Sequence, residues 1–181
     1  AIATDISNNV YVTGHTATIG TYYDYLTIKY RTNGDTAWSR KYNGAANDWD
    51  EASAVVLDES ANVYVTGFSV GIGTYRDYAT VKYDSLGNEL WAARYNGPGN
   101  NTDQPSDVVV DGLGNVYVTG FSTGSGTSSD YATVKYNSQG KEVWVARYDD
   151  PSHSTDEAEA IAIDANYNVY VTGYSWGGGT V

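Results

Sequence analysis

The chain has 181 residues and a formal net charge of −12, from 10 Lys and Arg residues against 22 Asp and Glu residues. Hydrophobic residues make up 41% of it, an ordinary fraction for a globular domain with a buried core. A surface of this sign repels phosphate, which argues against nucleic acid, and no apolar run is long enough for membrane insertion. The absence of Cys excludes disulfides and thiolate metal sites.

One five-residue string recurs along the chain at a constant interval. Val-Tyr-Val-Thr-Gly begins at Val10, Val63, Val116 and Val169, which gives a period of 53 residues. The period divides the chain into units at residues 1–53, 54–106, 107–159 and, in part, 160–181. We therefore expect one repeat domain over residues 1–181.

Within each unit, the apolar residues follow the period of two that is typical of strands. In the second unit, the apolar run 54–57 meets a turn-rich segment, and the β-branched and aromatic run 63–66 follows it. Residues 78–83 and 89–95 alternate in the same way around a turn that contains Gly87. Gly34 and Gly140 recur at the same turn, where a positive φ would strain other residues. Each unit is therefore predicted to contain two hairpins.

Four short antiparallel strands per unit favour one repeat architecture over its main competitor. Solenoid units are usually shorter and carry one or two strands or helices, whereas propeller blades carry four strands in about 40 to 50 residues. The predicted fold is therefore all-β, a β-propeller built from four-stranded antiparallel blades. The chain would supply about 3.5 of these blades.

Three segments of the second unit carry a resemblance to a known family. Residues 62–67, 77–83 and 87–97 resemble the seven-bladed β-propeller (SBBP) repeats of mainly bacterial secreted and surface proteins. The run 54–58 followed by 62–65 also resembles the inner hairpin of NHL-type blades. The resemblance implies a propeller fold and an extracellular or cell-surface location, and it implies no defined reaction.

Positions that are identical in every unit are interpreted as structural, because a catalytic site needs an asymmetric set of groups. The tryptophans are expected to pack between blades rather than to form sugar-stacking platforms. The aspartates and lysines are expected to form a recurring hydrogen-bonded or ion-paired contact. These positions are Trp38, Trp91, Trp144, Asp24, Asp77, Asp130, Lys29, Lys82 and Lys135.

Three further aspartates keep the 53-residue register in the polar segments between units. They are Asp50, Asp103 and Asp156. Oxygen-rich loops of an acidic protein are candidate Ca²⁺ sites, and a solvated polar loop is the simpler alternative. We expect no other cofactor.

Six residues lie in predicted loops at positions where the units differ from one another. They are Tyr22, Tyr23, Trp49, Arg76, His153 and Trp176. Exposed aromatic side chains on loops often anchor ligands, so these six are the candidate ligand-binding residues. The alternatives are sequence drift on unselected loops and packing against a neighbour.

These features favour a non-enzymatic, extracellular scaffold or interaction module. The alternative is a multivalent, lectin-like carbohydrate-binding module, with or without Ca²⁺, and a hydrolase or lyase is less favoured. Partners are expected to be a glycan or a protein. Because so few blades leave two blade faces bare, we also expect further blades in a parent chain or self-association, most simply into a dimer.

Overall fold

The computed structural model describes residues 1–177, and every regular element in that range is a β-strand. The strands are β1 Ile2–Thr4, β2 Val10–Thr18, β3 Tyr22–Tyr30, β4 Thr36–Tyr42, β5 Asp50–Leu57, β6 Val63–Val70, β7 Arg76–Tyr83, β8 Glu89–Tyr95, β9 Asp103–Val110, β10 Val116–Thr123, β11 Ser129–Tyr136, β12 Glu142–Tyr148, β13 Asp156–Ile163 and β14 Val169–Ser175. No helix in residues 1–177 has the length and apolar character needed to cross a bilayer.

Consecutive strands pair in antiparallel fashion to form separate sheets. β1 to β4, β5 to β8 and β9 to β12 each form a four-stranded sheet in chain order, and β13 pairs with β14. The first strand of each later sheet packs against the sheet before it, as β5 does against β2 and β3. This confirms the predicted architecture: three four-stranded propeller blades are followed by the first hairpin of a fourth.

The blades begin a few residues before the units that were counted in the sequence. The unit boundaries at 53/54, 106/107 and 159/160 fall inside β5, β9 and β13. A repeat period determines the length of a unit but not its starting point, and strand pairing places the first residue of each new blade at Asp50, Asp103 and Asp156.

The core consists of aromatic and β-branched side chains packed between successive blades. Tyr64 and Tyr78 are fully buried in it. Hydrogen bonds also cross from blade to blade: the Tyr25 hydroxyl donates to the Ala79 carbonyl at 3.1 Å, and the Tyr78 hydroxyl donates to the Ala132 carbonyl at 3.2 Å. Burial of such rings drives blade association, and the hydrogen bonds satisfy the hydroxyls that burial removes from water.

Two of the repeated tryptophans lie against the next blade. The indole N–H of Trp38 donates to the Ser85 carbonyl at 3.2 Å, and that of Trp91 donates to the Ser138 carbonyl at 3.1 Å. Trp144 packs on Tyr117 of its own blade, with ring centroids 6.1 Å apart. The positions are equivalent in sequence, but within residues 1–177 only the first two are followed by a complete blade.

The last hairpin exposes side chains that the inner blades bury. Tyr170 is 58% exposed, whereas its equivalents Tyr64 and Tyr117 are 0% and 1% exposed. Among the described residues, β13 and β14 are followed neither by the third and fourth strands of their own blade nor by a further blade. In the second blade those two strands supply Lys82 and Trp91, which contact the Tyr64 ring. The last hairpin is therefore bare where the inner blades are covered.

Candidate functional site

The connections between blades and the loops between second and third strands lie at one end of the sheets. The strand register shows this arrangement. Tyr25, near the start of β3, pairs with Tyr42 at the end of β4, so the loop before β3 and the connection after β4 lie at the same end. Asp50, at the start of β5, likewise pairs with Ser69 near the end of β6. We call this end the loop face. It is formed by the segments 19–21, 43–49, 71–75, 96–102, 124–128 and 149–155.

Three of the six candidate ligand-binding residues meet at the loop face between the first and second blades. The prediction that all six lie in loops is wrong for Tyr22, Tyr23 and Arg76, which lie at the starts of β3 and β7 because strand pairing extends to these positions. The ring centroids of Tyr23 and Trp49 are 5.8 Å apart, and the guanidinium of Arg76 lies 4.8 Å from the Trp49 ring centroid. His15 packs edge-on against Tyr23 at 4.8 Å, and the ring centroid of Phe68 lies 4.2 Å from the same guanidinium. We call these five residues the aromatic cluster.

The cluster offers both apolar surface and polar groups to a ligand. Tyr23 and Trp49 are each 38% exposed, whereas Phe68 is buried. Glu51 lies 3.7 Å from the His15 ring nitrogen, and Gln104 accepts a hydrogen bond from Arg76 at 3.4 Å. Rings held by cation–π contact and flanked by a carboxylate and an amide form a preorganised contact surface.

The other three candidates lie apart from the aromatic cluster. Tyr22 is 73% exposed on the first blade and has a φ of 56°. Trp176 is 69% exposed beyond β14. His153 follows β12, and its Nδ1 lies 2.6 Å from Asp149 Oδ2, a hydrogen bond and charge contact that raises the pKa of the imidazole. The structure therefore divides the six residues into one cluster and separate positions.

Asp50, Asp103 and Asp156 do not lie in solvated loops, which corrects the simpler interpretation of these residues. Each is the first residue of its blade and is fully buried. Their Oδ2 atoms accept backbone N–H groups of the interblade segment: Gly44 at 2.6 Å, Gly97 at 2.6 Å and Asp150 at 2.9 Å. Each carboxylate thus closes the turn that joins two blades.

Burial disfavours the negatively charged form of two of these aspartates. It raises the pKa of Asp50 and of Asp103 above its usual range, although hydrogen bonds from the backbone and from Ser69 or Ser122 oppose the shift. The negative charge of Asp24 raises the pKa of Asp50 further, and that of Asp77 raises the pKa of Asp103 further. Two carboxyl groups are therefore close enough for their charges to interact at each of these blade junctions.

The repeated Asp77 and Asp130 are held by arginines on the neighbouring strand. Arg94 donates to Asp77 Oδ2 at 2.7 Å and to the Ser69 hydroxyl and carbonyl at 2.6 and 2.8 Å. Arg147 contacts Asp130 Oδ2 at 2.8 Å in the same way. In the first blade Lys41 occupies this position and donates to Thr18 instead, so Asp24 has no equivalent ion pair among the described residues.

The repeated lysines have a different environment from the aspartates five residues before them. Each ammonium lies over a buried tyrosine ring of its own blade, at 4.9 Å for the first pair and 4.8 Å for the other two. The pairs are Lys29 with Tyr11, Lys82 with Tyr64 and Lys135 with Tyr117. These contacts stabilise the inner part of the blade. Lys29 also lies 3.8 Å from Asp5 Oδ2 and donates to the Ser85 carbonyl of the next blade at 3.3 Å, as expected of a recurring polar contact.

A further repeated aspartate, at the turn between the first two strands of each unit, accepts hydrogen bonds from groups of its own hairpin. Asp58 Oδ1 accepts the N–H groups of Ser60 and Asn62 at 2.9 Å, and Oδ2 accepts the Asn62 amide at 2.7 Å and the Tyr64 hydroxyl at 2.9 Å. Burial would raise the pKa of Asp58, but these hydrogen bonds outweigh it and lower the pKa. Equivalent turns form at Asp5, Asp111 and Asp164.

The sequence interpretation placed Asp149 in the oxygen-rich segment between units but did not select it as a candidate site residue. One carboxylate oxygen each from Asp130, Asp149 and Asp156 lies within 4.8 Å of the others. A signal for it was present, because Asn43 and Asn96 occupy the same position in the other two interblade segments. A change from Asn to Asp next to two repeated aspartates concentrates negative charge at one junction only.

Comparison with protein families identifies the family that the repeated unit matches. The family described as "Beta-propeller repeat" (SBBP) matches residues 90–131 and 143–179, which fall on two successive repeats. The chain is a β-propeller repeat protein. The match spans the same segments that carry the repeated strand and turn pattern, and it agrees with the blades seen in the structure.

Several known proteins are similar to this β-propeller repeat protein over most of its length. An uncharacterized WD repeat-containing protein of Acanthamoeba polyphaga mimivirus is 26% identical over 86% of this chain, which spans 14% of that relative. A crystal structure of a protein of unknown function from Bacteroides caccae matches 94% of this chain and 51% of its own, with 11% identity and a TM-score of 0.55. A fucose lectin from Kordia zhangzhouensis, solved with methyl-fucoside, matches 81% of this chain and 96% of its own, with 13% identity and a TM-score of 0.45.

Proposed function

We propose that this β-propeller repeat protein is a non-enzymatic scaffold and interaction module that acts outside the cell or at the cell surface. In this proposal the aromatic cluster is the contact surface for its partner. The observation that carries the proposal is the position of the cluster: it forms at the loop face, where the otherwise uniform blades differ in sequence. Of the five cluster residues only Trp49 lies in a loop, and strands β2, β3, β6 and β7 hold the other four beside it, as rigid scaffolds commonly do for binding residues.

The chemistry of the cluster suits binding better than catalysis. Its exposed rings are those of Tyr23, Trp49 and His15, and the Arg76 guanidinium beside Trp49 stays protonated at any physiological pH. Arg76 already stacks on both Trp49 and Phe68, so little side-chain entropy is lost when a ligand makes contact. Preformed aromatic and arginine side chains are the residue types that dominate binding free energies at interfaces.

A neutral glycan is the second candidate for the ligand. Sugars present an apolar C–H face that stacks on aromatic rings, and their hydroxyls bond to carboxylates and amides. Tyr23 and Trp49 could supply the rings, and Glu51 and Gln104 the polar partners. Thr102 replaces Trp49 at the next junction, so this geometry favours one sugar site rather than one site per blade.

A glycan array probed with the wild-type chain and matched variants tests both candidates. Trp49→Ala removes the ring at the centre of the cluster, and Thr102→Ala truncates the equivalent position of the next junction as a control. We expect binding to fall at least about tenfold for Trp49→Ala and to be unchanged for Thr102→Ala. Glycan binding that survives Trp49→Ala would contradict a role for the cluster.

If no glycan binds, the scaffold proposal predicts a protein partner at the same surface. Proximity labelling on the producing cells, with the Trp49→Ala variant as the reference, would then compare the labelled proteins. We expect a surface protein to be labelled by the wild type and lost in the variant. Identical labelling patterns, or labelling confined to cytoplasmic proteins, would contradict the proposed surface and location.

A further inference from the structure

We propose that Asp130, Asp149 and Asp156 form a divalent-cation site of the Ca²⁺ class at the junction between the third blade and the following hairpin. Asp130 lies on β11, Asp149 directly follows β12, and Asp156 begins β13. A cation held by all three would therefore join consecutive sheets. The proposal uses neither the aromatic cluster nor the ligand inferred for it.

In each of the three carboxylates, one oxygen contacts a polar group of the protein and the other has no partner. The Oδ2 atoms contact the Arg147 guanidinium at 2.8 Å, the His153 ring at 2.6 Å and the Asp150 backbone N–H at 2.9 Å. The three Oδ1 atoms are buried and have no hydrogen-bond partner among the described residues. Asp130 is 4% exposed and Asp156 is fully buried, so these oxygens are shielded from bulk water.

Unpaired carboxylate oxygens in a buried position are costly, and a cation removes that cost. A buried charged group without a partner is destabilising unless it is protonated, paired or bound to metal. Three carboxylates beside Arg147 carry a net charge of about −2 when His153 is neutral, and a divalent ion balances that charge. The hydrogen bonds to Oδ2 hold the three groups in place before any ion arrives.

The spacing of the oxygens matches the coordination sphere of Ca²⁺. Ca²⁺ binds oxygen at about 2.3–2.6 Å, so any two ligand atoms of one ion lie at most about 5 Å apart. One oxygen from each of the three carboxylates falls within this limit, at 4.8 Å or less from the other two. The Asp149 side chain is 25% exposed, which leaves room for water to complete the six to eight ligands that the ion prefers.

The other two junctions provide an internal comparison. At the second junction, the position of Asp149 is Asn96, and Asp103 Oδ1 is already occupied by the Thr123 N–H at 3.2 Å. At the first junction that position is Asn43. The third carboxylate is therefore specific to the third junction, and Asp149→Asn converts it to the residue that both other junctions carry.

Calorimetry and thermal melting on the whole chain, after chelator treatment, test the site with CaCl₂ and MgCl₂ as probes. We expect one Ca²⁺ ion per chain, a melting temperature that rises with Ca²⁺ concentration, and at least about tenfold weaker binding for Asp149→Asn. Asp48→Asn removes the same charge from the first interblade segment and is the matched control, with unchanged binding expected. Equal melting temperatures of the two variants in chelator would show that Asp149→Asn folds normally.

Two results would overturn the proposal. One is the absence of binding heat together with an unchanged melting temperature between chelator and millimolar Ca²⁺, which would mean that the buried oxygens hold protons or water. The other is equal Ca²⁺ affinity in Asp149→Asn and the wild type, which would place any bound ion elsewhere. Neither result bears on glycan or protein binding at Trp49, so the two proposals can fail separately.

Discussion

The indole of Trp91 covers Gly140 of the next blade so closely that a Cβ added to Gly140 would lie 2.6 Å from ring carbon Cδ2. Gly140 also has a φ of 77°, a conformation that L side chains rarely adopt. Trp38 and Gly87 repeat the relationship one junction earlier, with a Cβ contact of 2.8 Å. The recurring glycine is thus required twice, by its own turn and by the tryptophan that packs on it.

Trp91→Ala should lower the free energy of unfolding by about 3–5 kcal/mol, because it removes a large ring and its hydrogen bond from a blade junction. Trp144→Ala should cost about 1–2 kcal/mol in the monomeric chain, since no complete blade follows Trp144 within residues 1–177. Denaturant titration of both variants measures the difference. Equal losses would show that Trp91 gains little from contact with the next blade.

Gly140→Ala should destabilise the chain by at least about 1–2 kcal/mol from its positive φ alone, and the contact with Trp91 should add to the loss. Gly34→Ala provides the comparison, because Gly34 has a φ of 88° but a Cβ added there would meet nothing within 4 Å. Thermal melting of both variants separates the backbone cost from the packing cost. A larger loss for Gly34→Ala would contradict the role of the ring.

Asp58→Asn should destabilise the chain by about 1–3 kcal/mol at neutral pH, because it weakens hydrogen bonds to a charged group. The pKa of Asp58 is lower in the folded chain than its usual value of 3.8, so this contribution is complete above that value. It is lost as the pH falls through the folded pKa. Denaturant titrations at several pH values should therefore bring wild type and variant together in acid, whereas the exposed control Glu59→Gln should show no such convergence.

Asp103→Asn should show the opposite pH dependence. Burial raises the pKa of Asp103 in the folded chain, so the wild type loses stability as the pH rises from the usual value of 3.8 through the folded pKa. The variant has no charge to bury, and its stability relative to wild type should improve from about pH 3 to pH 7. Melting temperatures measured across that range check the trend, and a constant difference would contradict the burial of a titrating carboxyl group.

We expect the chain to associate through the outer face of its last hairpin. Tyr170 is 58% exposed where equivalent tyrosines are buried, and such a sheet face gains apolar burial against a second copy. Light scattering should give a mass well above 19.5 kDa, most simply that of a dimer. Tyr170→Glu should lower that mass, and Tyr22→Ser on the loop face should not. A folded wild-type monomer at tens of micromolar would contradict this expectation.

The fold could be predicted from the sequence because its information is local and repeated. Alternation with period two in residues 63–66 and 78–83 defines strands, and the glycine at the second turn defines where a hairpin reverses. Each unit repeats the same local preferences, so the same error would have to occur in every copy for the strand prediction to fail. The first residue of each blade could not be predicted from local sequence, because it depends on which strands pair.

The candidate site was predictable only in part. Tyr23, Trp49 and Arg76 were identified one by one, because each stands where the units differ. Their contact could not be predicted, since Tyr23 and Arg76 occupy equivalent positions of neighbouring blades and meet only through the segment that carries Trp49. His153 and Trp176 satisfied the same sequence criterion, and the structure places them elsewhere.

The sequence by itself determined the repeat period, the strands, the turns and therefore the class of fold, because these follow from residue spacing and backbone preference. Only the tertiary structure decided which polar groups lose their water. Asp156 looks like a residue of a polar segment in the sequence, yet blade packing buries it completely and brings it next to Asp130 and Asp149. Burial and charge proximity arise from contacts between blades, and a single unit does not contain them.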